Sequence, residues 1–326
     1  MNNEPTRFVD RETGEIVVEK VFGGSGLDRL YGSPISRLLT HHVLARRAIN
    51  RLYGWIQRRR GSRRRIPRFV RTLDVNVDEI ELPLEAYESM DHFFTRRLGP
   101  EARPIDPTPV HLISPADGRA LVFPALEGTR LPIKGRRVEL TELLGGVPAR
   151  PATSPTAGTA PYASHGRAYA DGSALVVRLA PADYHRFHFP DGGIAHESRT
   201  SGHRLHSVHP IALDAGAPSF LNKRTVTLLE SEHFGPLLLV EVGALLVGRI
   251  VQTHSPGTVS RGQEKGYFSF GGSTVILLAR PGVLTFDRDL VEHSRRGLET
   301  RVKFGTRVAS ARAESLGVAP KHGAET

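Results

Sequence analysis

Hydrophobic positions follow three successive patterns along the chain. Residues 1–30 are polar, rich in turn formers and without a sustained period. A helical period then sets in. Ser33-Pro34 reads as an N-cap with proline at the first helical position. Ile35, Leu38, Leu39, Leu44, Ile49, Leu52, Tyr53 and Ile56 fall mostly on one stripe, with Arg37, Arg46, Arg47 and Arg51 interspersed. Arg58–Arg60 and Arg63–Arg65 follow at once, and EAYESMDHFFTRRL at 85–98 predicts a second amphipathic helix. From about residue 106 the apolar runs become short and are punctuated by glycine and proline, which predicts many short strands joined by turns. PLLLVEVGALLVG at 236–248, interrupted by Glu241, predicts two buried strands with a tight connection.

These patterns imply an α+β fold. N-terminal amphipathic helices over 31–105 precede a β-rich catalytic core with barrel-sandwich-like features over 106–326, and residues 1–30 form a polar leading segment. The Pro-, Ala-, Thr- and Gly-rich stretch at 146–168 is expected to be a loop inserted within that core, because strands resume on both sides. The small, polar tail after about Ser315 is expected to be disordered.

Charge sharpens this picture. With 44 Lys and Arg against 34 Asp and Glu, the formal net charge of +10 favours an anionic partner. No zinc-finger, RNP or helix-turn-helix pattern supports nucleic acid, which leaves anionic lipid and an acidic substrate as partners. The arginine-flanked helix then has two readings. It packs on its own protein, or its apolar face and Trp55 enter the headgroup region, where each basic residue contributes roughly 1 kcal/mol. The first 15 residues are polar and include acids, unlike a secretory signal. No charge-free apolar run reaches the ~18 residues of a spanning helix. Peripheral attachment at the cytoplasmic face of a cell membrane is the expectation. The absence of cysteine excludes disulfides, thiolate chemistry and Cys-rich metal sites.

Three strings carry candidate chemistry: Ser114-Pro115-Ala116-Asp117-Gly118, Asp183-Tyr184-His185-Arg186-Phe187-His188, and Phe270-Gly271-Gly272-Ser273-Thr274. Alone, each is an ordinary turn or strand end. Together they contain the parts of a self-cleaving serine. A serine hydroxyl can attack the carbonyl of the residue before it, and glycine there removes steric hindrance. A histidine can act as base, and a carboxylate can hold that histidine in the right tautomer. Elimination from the resulting ester and hydrolysis leave a pyruvoyl group, which can take the electron-sink role that pyridoxal phosphate has elsewhere.

The order and surroundings of these strings resemble a known family. YGSPISRLL, RLYGWIQ, HFFTRRLGPEARPI, SPADGRA, IKGRRVELTELLG, LAPADYHRFHFPDGG, HSVHPIAL, VEVGALLVGRI, KGYFSFGGSTVILL and FDRDLVEHSRRGLETRVKFG occur in the order seen in phosphatidylserine decarboxylase proenzymes. The resemblance covers nearly the whole chain. It implies cleavage between Gly272 and Ser273, with Ser273 as precursor of a covalent pyruvoyl group that forms a Schiff base with phosphatidylserine and releases CO2. It implies that Asp117 and His188 serve self-cleavage and that His185 serves decarboxylation. It further implies a heterodimer of the two fragments, with no pyridoxal phosphate and no metal, and leaves a homo-oligomer open. The family's frequent Leu-Gly-Ser-Thr is Gly271-Gly272-Ser273-Thr274 here, and its Asn-Glu-Arg is Asn222-Lys223-Arg224. Spacing alone places His185 and His188 on opposite strand faces unless the chain bends after Tyr184.

Two alternatives remain at this stage. Another serine phospholipid or a free amino acid is a substrate within the same chemistry. A non-enzymatic lipoyl-like binding module would instead present a modifiable lysine on an exposed turn, with Lys265 the nearest candidate.

Overall fold

The computed structural model describes residues 6–20, 47–133, 136–145, 163–202, 205–206, 219–244, 249–269 and 273–312. In chain order the strands are β1 (Arg7–Asp10), β2 (Ile16–Val18), β3 (His111–Ile113), β4 (Gly118–Phe123), β5 (Arg130–Ile133), β6 (Arg136–Glu139), β7 (Ser173–Leu179), β8 (Arg186–His188), β9 (Gly193–Ala195) and β10 (Arg199–Ser201). They continue as β11 (Arg224–Ser231), β12 (Gly235–Gly243), β13 (Ile250–Gln252), β14 (Gly257–Val259), β15 (Glu264–Phe268), β16 (Ser273–Ala279), β17 (Leu284–Phe286), β18 (Glu299–Val302) and β19 (Arg307–Ala311). The helices are α1 (Arg47–Arg58), α2 (Ile66–Leu73), α3 (Met90–Phe94), α4 (Leu140–Leu143) and α5 (Arg288–Arg295). The fold is α+β and β-rich, as the punctuated apolar runs predict.

One 11-stranded mixed sheet dominates, in the order β14-β9-β11-β12-β16-β7-β4-β18-β1-β2, with β10 also on β11. Its centre, β12-β16-β7-β4, is antiparallel. β16 is buried along its whole length, so STVILLA has no polar face to show. Its alternate positions instead serve two cores. Val275, Leu277 and Ala279 join Leu175, Val177 and Leu239 in one core, and Ile276 and Leu278 join Val176, Leu238 and Val240 in the other. The first core continues into Phe187 of β8, Phe268 of β15, Leu112 of β3 and Val308 of β19. Two small sheets, β13-β15-β8 and β17-β19-β3, therefore face the large sheet across it.

Residues 1–30 contribute more order than their polarity suggests. β1 and β2 pair with each other, and β1 lies parallel to β18. Just past β2, Glu19 is buried and meets Arg178 of β7 at 3.0 Å and Arg119 of β4 at 3.1 Å. Arg178 also meets Glu299 at 2.6 Å. Burial works against its charge, but the two glutamates prevail and raise the Arg178 pKa.

Of the first predicted helix, residues 33–46 lie outside the described residues and the remainder is α1. Leu52, Trp55 and Ile56 on α1 are 58%, 45% and 39% exposed, so this apolar face has no cover among the described residues. The helix predicted over 85–98 is much shorter. Ser89 caps α3 by accepting from the His92 N–H at 3.1 Å, and Thr95 turns back to donate to the Asp91 carbonyl at 2.9 Å. These local polar bonds start and stop the helix inside the amphipathic stretch. α3 nevertheless anchors a core of its own, with Phe93, Phe94 and Met90 packed among Phe69, Leu73 and Tyr87. The first strand predicted over 236–248 is β12, while 245–248 lie outside the described residues. The same holds for the predicted disordered tail beyond 312 and for 146–162 of the predicted loop, whose end enters a 3-10 turn at Ala163–Tyr169.

Candidate active site

Ser273 is the first residue of β16 and is hydrogen-bonded into the sheet on both sides, opposite Leu179 of β7 and Gly243 of β12. Strand alternation points its side chain to the face of Val275, toward the layer that holds β8 and β15. Its Oγ is buried and has no hydrogen-bond partner among the described residues. Leaving a buried hydroxyl unmet costs about 1–3 kcal/mol, a cost consistent with a group reserved for reaction. Gly243 opposite is tightly packed on its own side, where a Cβ would press on Leu205 at 3.2 Å and on the Lys223 carbonyl at 3.3 Å. Gly272, the expected acyl partner, lies outside the described residues.

Asp117 sits at the same end of the sheet. Its neighbour Arg119 shares a rung with Arg178, which shares one with Thr274. Gly118 and Ser273 therefore flank that rung at the same end, two strand spacings or about 10 Å apart in backbone terms. The local sequence shapes the bend. Ser114 Oγ donates to the Ala116 carbonyl at 2.7 Å. Gly118 must be glycine, since a Cβ would lie 2.6 Å from the Arg178 carbonyl oxygen. The Asp117 carboxylate accepts from Arg103 Nε at 3.0 and 3.1 Å and from Arg103 Nη2 at 2.6 Å, and from the Phe304 N–H at 2.8 Å.

His188 connects to this bend through its backbone, donating its N–H to the Pro115 carbonyl at 2.8 Å. Its ring stacks on Phe304 at 3.6 Å and 12°, with Tyr184 stacked at 5.8 Å. Burial pushes the imidazole down to about 3 despite the Pro115 carbonyl, and Arg186 lowers it further. It is therefore neutral near pH 7, and its Nδ1 has no partner among the described residues. No hydrogen bond is formed from Asp117 to His188 or Ser273; Phe304 links the first two, through its N–H and its ring.

His185 occupies a different setting. The chain turns between Ala180 and Asp183, whose N–H donates to the Ala180 carbonyl at 2.9 Å. His185 then packs on Phe94 at 3.9 Å, and its Nδ1 lies 2.9 Å from the Asp183 carbonyl. A carbonyl only accepts, so Nδ1 carries a proton. The odd spacing does separate the two rings: Tyr184 and His188 share one stack, and His185 turns to α3.

Sequence patterns did not single out Arg103, Phe304 or Arg119, and Asp183 entered only as the first residue of its string. Asp183 is bonded by Arg119 and by the Ala180 N–H. Burial pushes its carboxyl up, but Arg119 outweighs it and holds the carboxyl below its ordinary value. The only sequence signal for Arg103 is its place in the ARPI string. One other reading is corrected. Lys265, weighed as an exposed modifiable lysine, is fully buried on β15 and ion-paired with Glu241 at 2.9 Å. This removes the basis of the binding-module alternative. Asn222 and Arg224, of the string that departs from the family's Asn-Glu-Arg, are buried scaffold. Asn222 donates to the His206 and Gly243 carbonyls at 2.8 Å, and Arg224 caps the Leu143 carbonyl at 2.5 Å.

The fold and these residues define an α+β protein with a buried serine at the start of a central strand. Comparison with known proteins identifies which. A profile of the phosphatidylserine decarboxylase family matches residues 90–310. The phosphatidylserine decarboxylase proenzyme of Chlamydia pneumoniae is 40% identical over 313 residues, covering 95% of this chain and 99% of its own length. That of Chlamydia felis is 41% identical over 302 residues, 92% and 96% of the two chains. That of Desulfitobacterium hafniense is 38% identical over 305 residues, 93% and 97%. The chain belongs to the phosphatidylserine decarboxylase family.

Proposed function

We infer that the protein is a zymogen that cleaves itself between Gly272 and Ser273 and then decarboxylates phosphatidylserine to phosphatidylethanolamine and CO2. The observation that carries this reading is the buried Ser273 hydroxyl, fixed at the head of a central strand with no hydrogen-bond partner among the described residues. Ser273 Oγ attacks the Gly272 carbonyl carbon, His188 takes the hydroxyl proton, and the Gly272–Ser273 amide becomes an ester. Loss of the Ser273 α-proton breaks the Cβ–O bond, leaving a Gly272 carboxylate and a dehydroalanine. Water converts the dehydroalanine to a pyruvoyl group with release of ammonia. Asp117 orients the histidine side of this assembly through the Phe304 backbone and ring.

The residues around Ser273 fit the group. The Ser273 side chain is buried without a hydrogen-bond partner among the described residues, and strand pairing on both sides holds the new terminus in place. When formed, the pyruvoyl carbonyl supplies an electron sink for the carbon that loses CO2. His185, with its proton fixed on Nδ1, offers Nε2 for proton handling at the substrate carbon.

In this reading residues 106–326 form the catalytic unit, with barrel-sandwich-like packing, and the mature protein is a heterodimer of its two fragments. The helical region over 31–105 lies on an anionic membrane at the cytoplasmic face. Exposed Leu52, Trp55 and Ile56 support this, as does Arg59, stacked 3.6 Å over Trp55. No helix among the described residues is long and apolar enough to cross a bilayer. Intact mass decides the processing step. Wild-type protein should give a fragment ending at Gly272 and one beginning with a pyruvoyl in place of Ser273, and Ser273→Ala should give one full-length chain. A wild-type chain that stays whole while releasing CO2 from phosphatidylserine overturns the reading.

A further inference from the structure

The ring of His185 is held by the backbone of one residue, and the side chain of that same residue is tied to the large sheet. His185 Nδ1 donates to the Asp183 carbonyl at 2.9 Å. Arg96 Nη2 donates to the same oxygen at 3.2 Å. Asp183 also closes its own turn twice. Its N–H donates to the Ala180 carbonyl at 2.9 Å, and its Oδ2 accepts from the Ala180 N–H at 2.6 Å. The direction of the carbonyl that holds the imidazole therefore follows from how this turn is closed.

An aspartate that only closes a turn needs no more than those two bonds. Here Oδ2 also accepts from Nη1 of Arg119, a buried side chain of β4. Arg119 is the middle of three arginines on one rung of the sheet, between Arg301 and Arg178. Arg178 is in turn opposite Thr274, the residue after Ser273. Like charges abreast repel unless each is matched. Arg301 is matched by Asp10 and Arg178 by Glu299, both from strands of the same sheet. Glu19 meets Arg119 and Arg178 from the hairpin side, and the Phe8 ring lies 4.7 Å from the Arg119 guanidinium. Asp183 differs from these partners, because it comes from the turn that carries His185. The Arg119–Asp183 bond thus joins that turn to the end of the sheet where Ser273 begins its strand.

We propose that Arg119 and Asp183 are positioning residues that fix the His185 ring relative to the Ser273 end of the sheet, and that they serve decarboxylation and not self-cleavage. The division between the two steps rests on the decarboxylase reading, in which His188 acts in the first and His185 in the second. The positioning itself does not. His188 is held separately, by its N–H on the Pro115 carbonyl and its ring on Phe304. A misplacement of about 1 Å in a reacting group costs about 100-fold in rate, so a slackened turn is felt at His185 first.

The test uses the full-length protein and three readouts: fragment formation, CO2 release from short-chain phosphatidylserine, and the NMR signals of the His185 ring nitrogens, assigned by their loss in His185→Gln. Asp183→Asn keeps an oxygen for the Ala180 N–H and removes the charge that faces Arg119. It should cleave itself within about threefold of the wild-type rate, with KM also within about threefold, while kcat falls by about 10- to 100-fold. The Nδ1 proton of His185, slow to exchange in the wild type, should exchange faster. Arg119→Lys keeps a cation without the planar fork and should show a smaller fall in kcat, again with cleavage unchanged. Wild-type kcat in Asp183→Asn overturns the proposal. So does a parallel loss of cleavage and CO2 release, which would make the pair a staple of the fold. Should Asp183→Asn not fold, Arg119→Lys decides: a fall in kcat alone upholds the proposal, and no fall or a joint fall overturns it. A wild type that yields no fragments or no CO2 sinks the decarboxylase reading instead, and the exchange rate of the Nδ1 proton then tests the positioning by itself.

Discussion

His188 is a neutral imidazole in a slot walled by Phe304 and Tyr184, and this has a cost in acid. Its ordinary pKa of 6.5 falls to about 3 in the folded protein, chiefly through burial. Between those two values the unfolded chain binds a proton that the folded chain refuses. Stability therefore declines as pH drops below about 6.5 and goes on declining toward about 3, while above 6.5 the residue contributes no slope. In a Ser273→Ala background, where the chain is expected to stay whole, the urea midpoint should fall between pH 7 and 4.5. Adding His188→Gln should remove part of that fall. An unchanged pH slope would show that His188 already carries its proton when folded. The same burial leaves the imidazole free of a proton at neutral pH but makes it a weak base, so its use in cleavage requires that the proton it takes be stabilised as it arrives.

At the scale of elements, the β1–β2 hairpin acts as a clamp. Glu19 reaches from its end to Arg178 and Arg119, joining the hairpin to the two strands that separate β16 from β18. Removing one partner of a buried ion pair is costly because the other charge stays behind in a dry setting. Glu19→Gln in the Ser273→Ala background should lower unfolding free energy by about 3 kcal/mol, the smaller end of the usual range, since Glu299 still faces Arg178. Urea unfolding measures it, and a change below about 0.5 kcal/mol would mean that the clamp is screened by solvent. The Lys265–Glu241 pair has a comparable role on the opposite side. It joins β15 to β12, with Gln252 accepting from Lys265 at 2.8 Å.

For the molecule as a whole, charge and an uncovered apolar face coincide. The net charge is +10, and Arg58–Arg60 and Arg63–Arg65, beside the exposed face of α1, are themselves exposed. Binding to vesicles containing phosphatidylserine should weaken between 0.1 M and 1 M salt, as the screening length contracts from about 10 Å to about 3 Å. Replacing Leu52, Trp55 and Ile56 together by serine should weaken it further at both salts, with processing unaffected. Co-sedimentation reads both effects, and binding indifferent to all three side chains would move the contact elsewhere. How much of this was legible in sequence depended on the reach of each interaction. The SPADG bend owes its Ser114–Ala116 bond to neighbours two residues apart, so that part could be anticipated, whereas the need for glycine at 118 comes from Arg178 on another strand. The buried strand from Ser273 announced itself by an unbroken apolar run. Arg178 and Glu19 lie 159 positions apart, and no local pattern predicts such a partner. The helix expected over 85–98 failed for the opposite reason: Ser89 and Thr95 bond within their own turns and override the apolar period.

The position of Ser273 inside the sheet has a final implication. β16 is zipped to β7 through seven rungs and to β12 through six, while the residues after it supply β17, α5, β18 and β19. A scission at its head thus releases a loose end and nothing more; the shorter piece remains woven through the larger one. Assembly and severance must then occur in that order, because two separate polypeptides would have to find each other to rebuild a sheet that a single polypeptide makes within itself. On the proposed cleavage, the uncut precursor would be its own folding template, and the finished enzyme a trapped product whose shape comes from a covalent continuity it has lost.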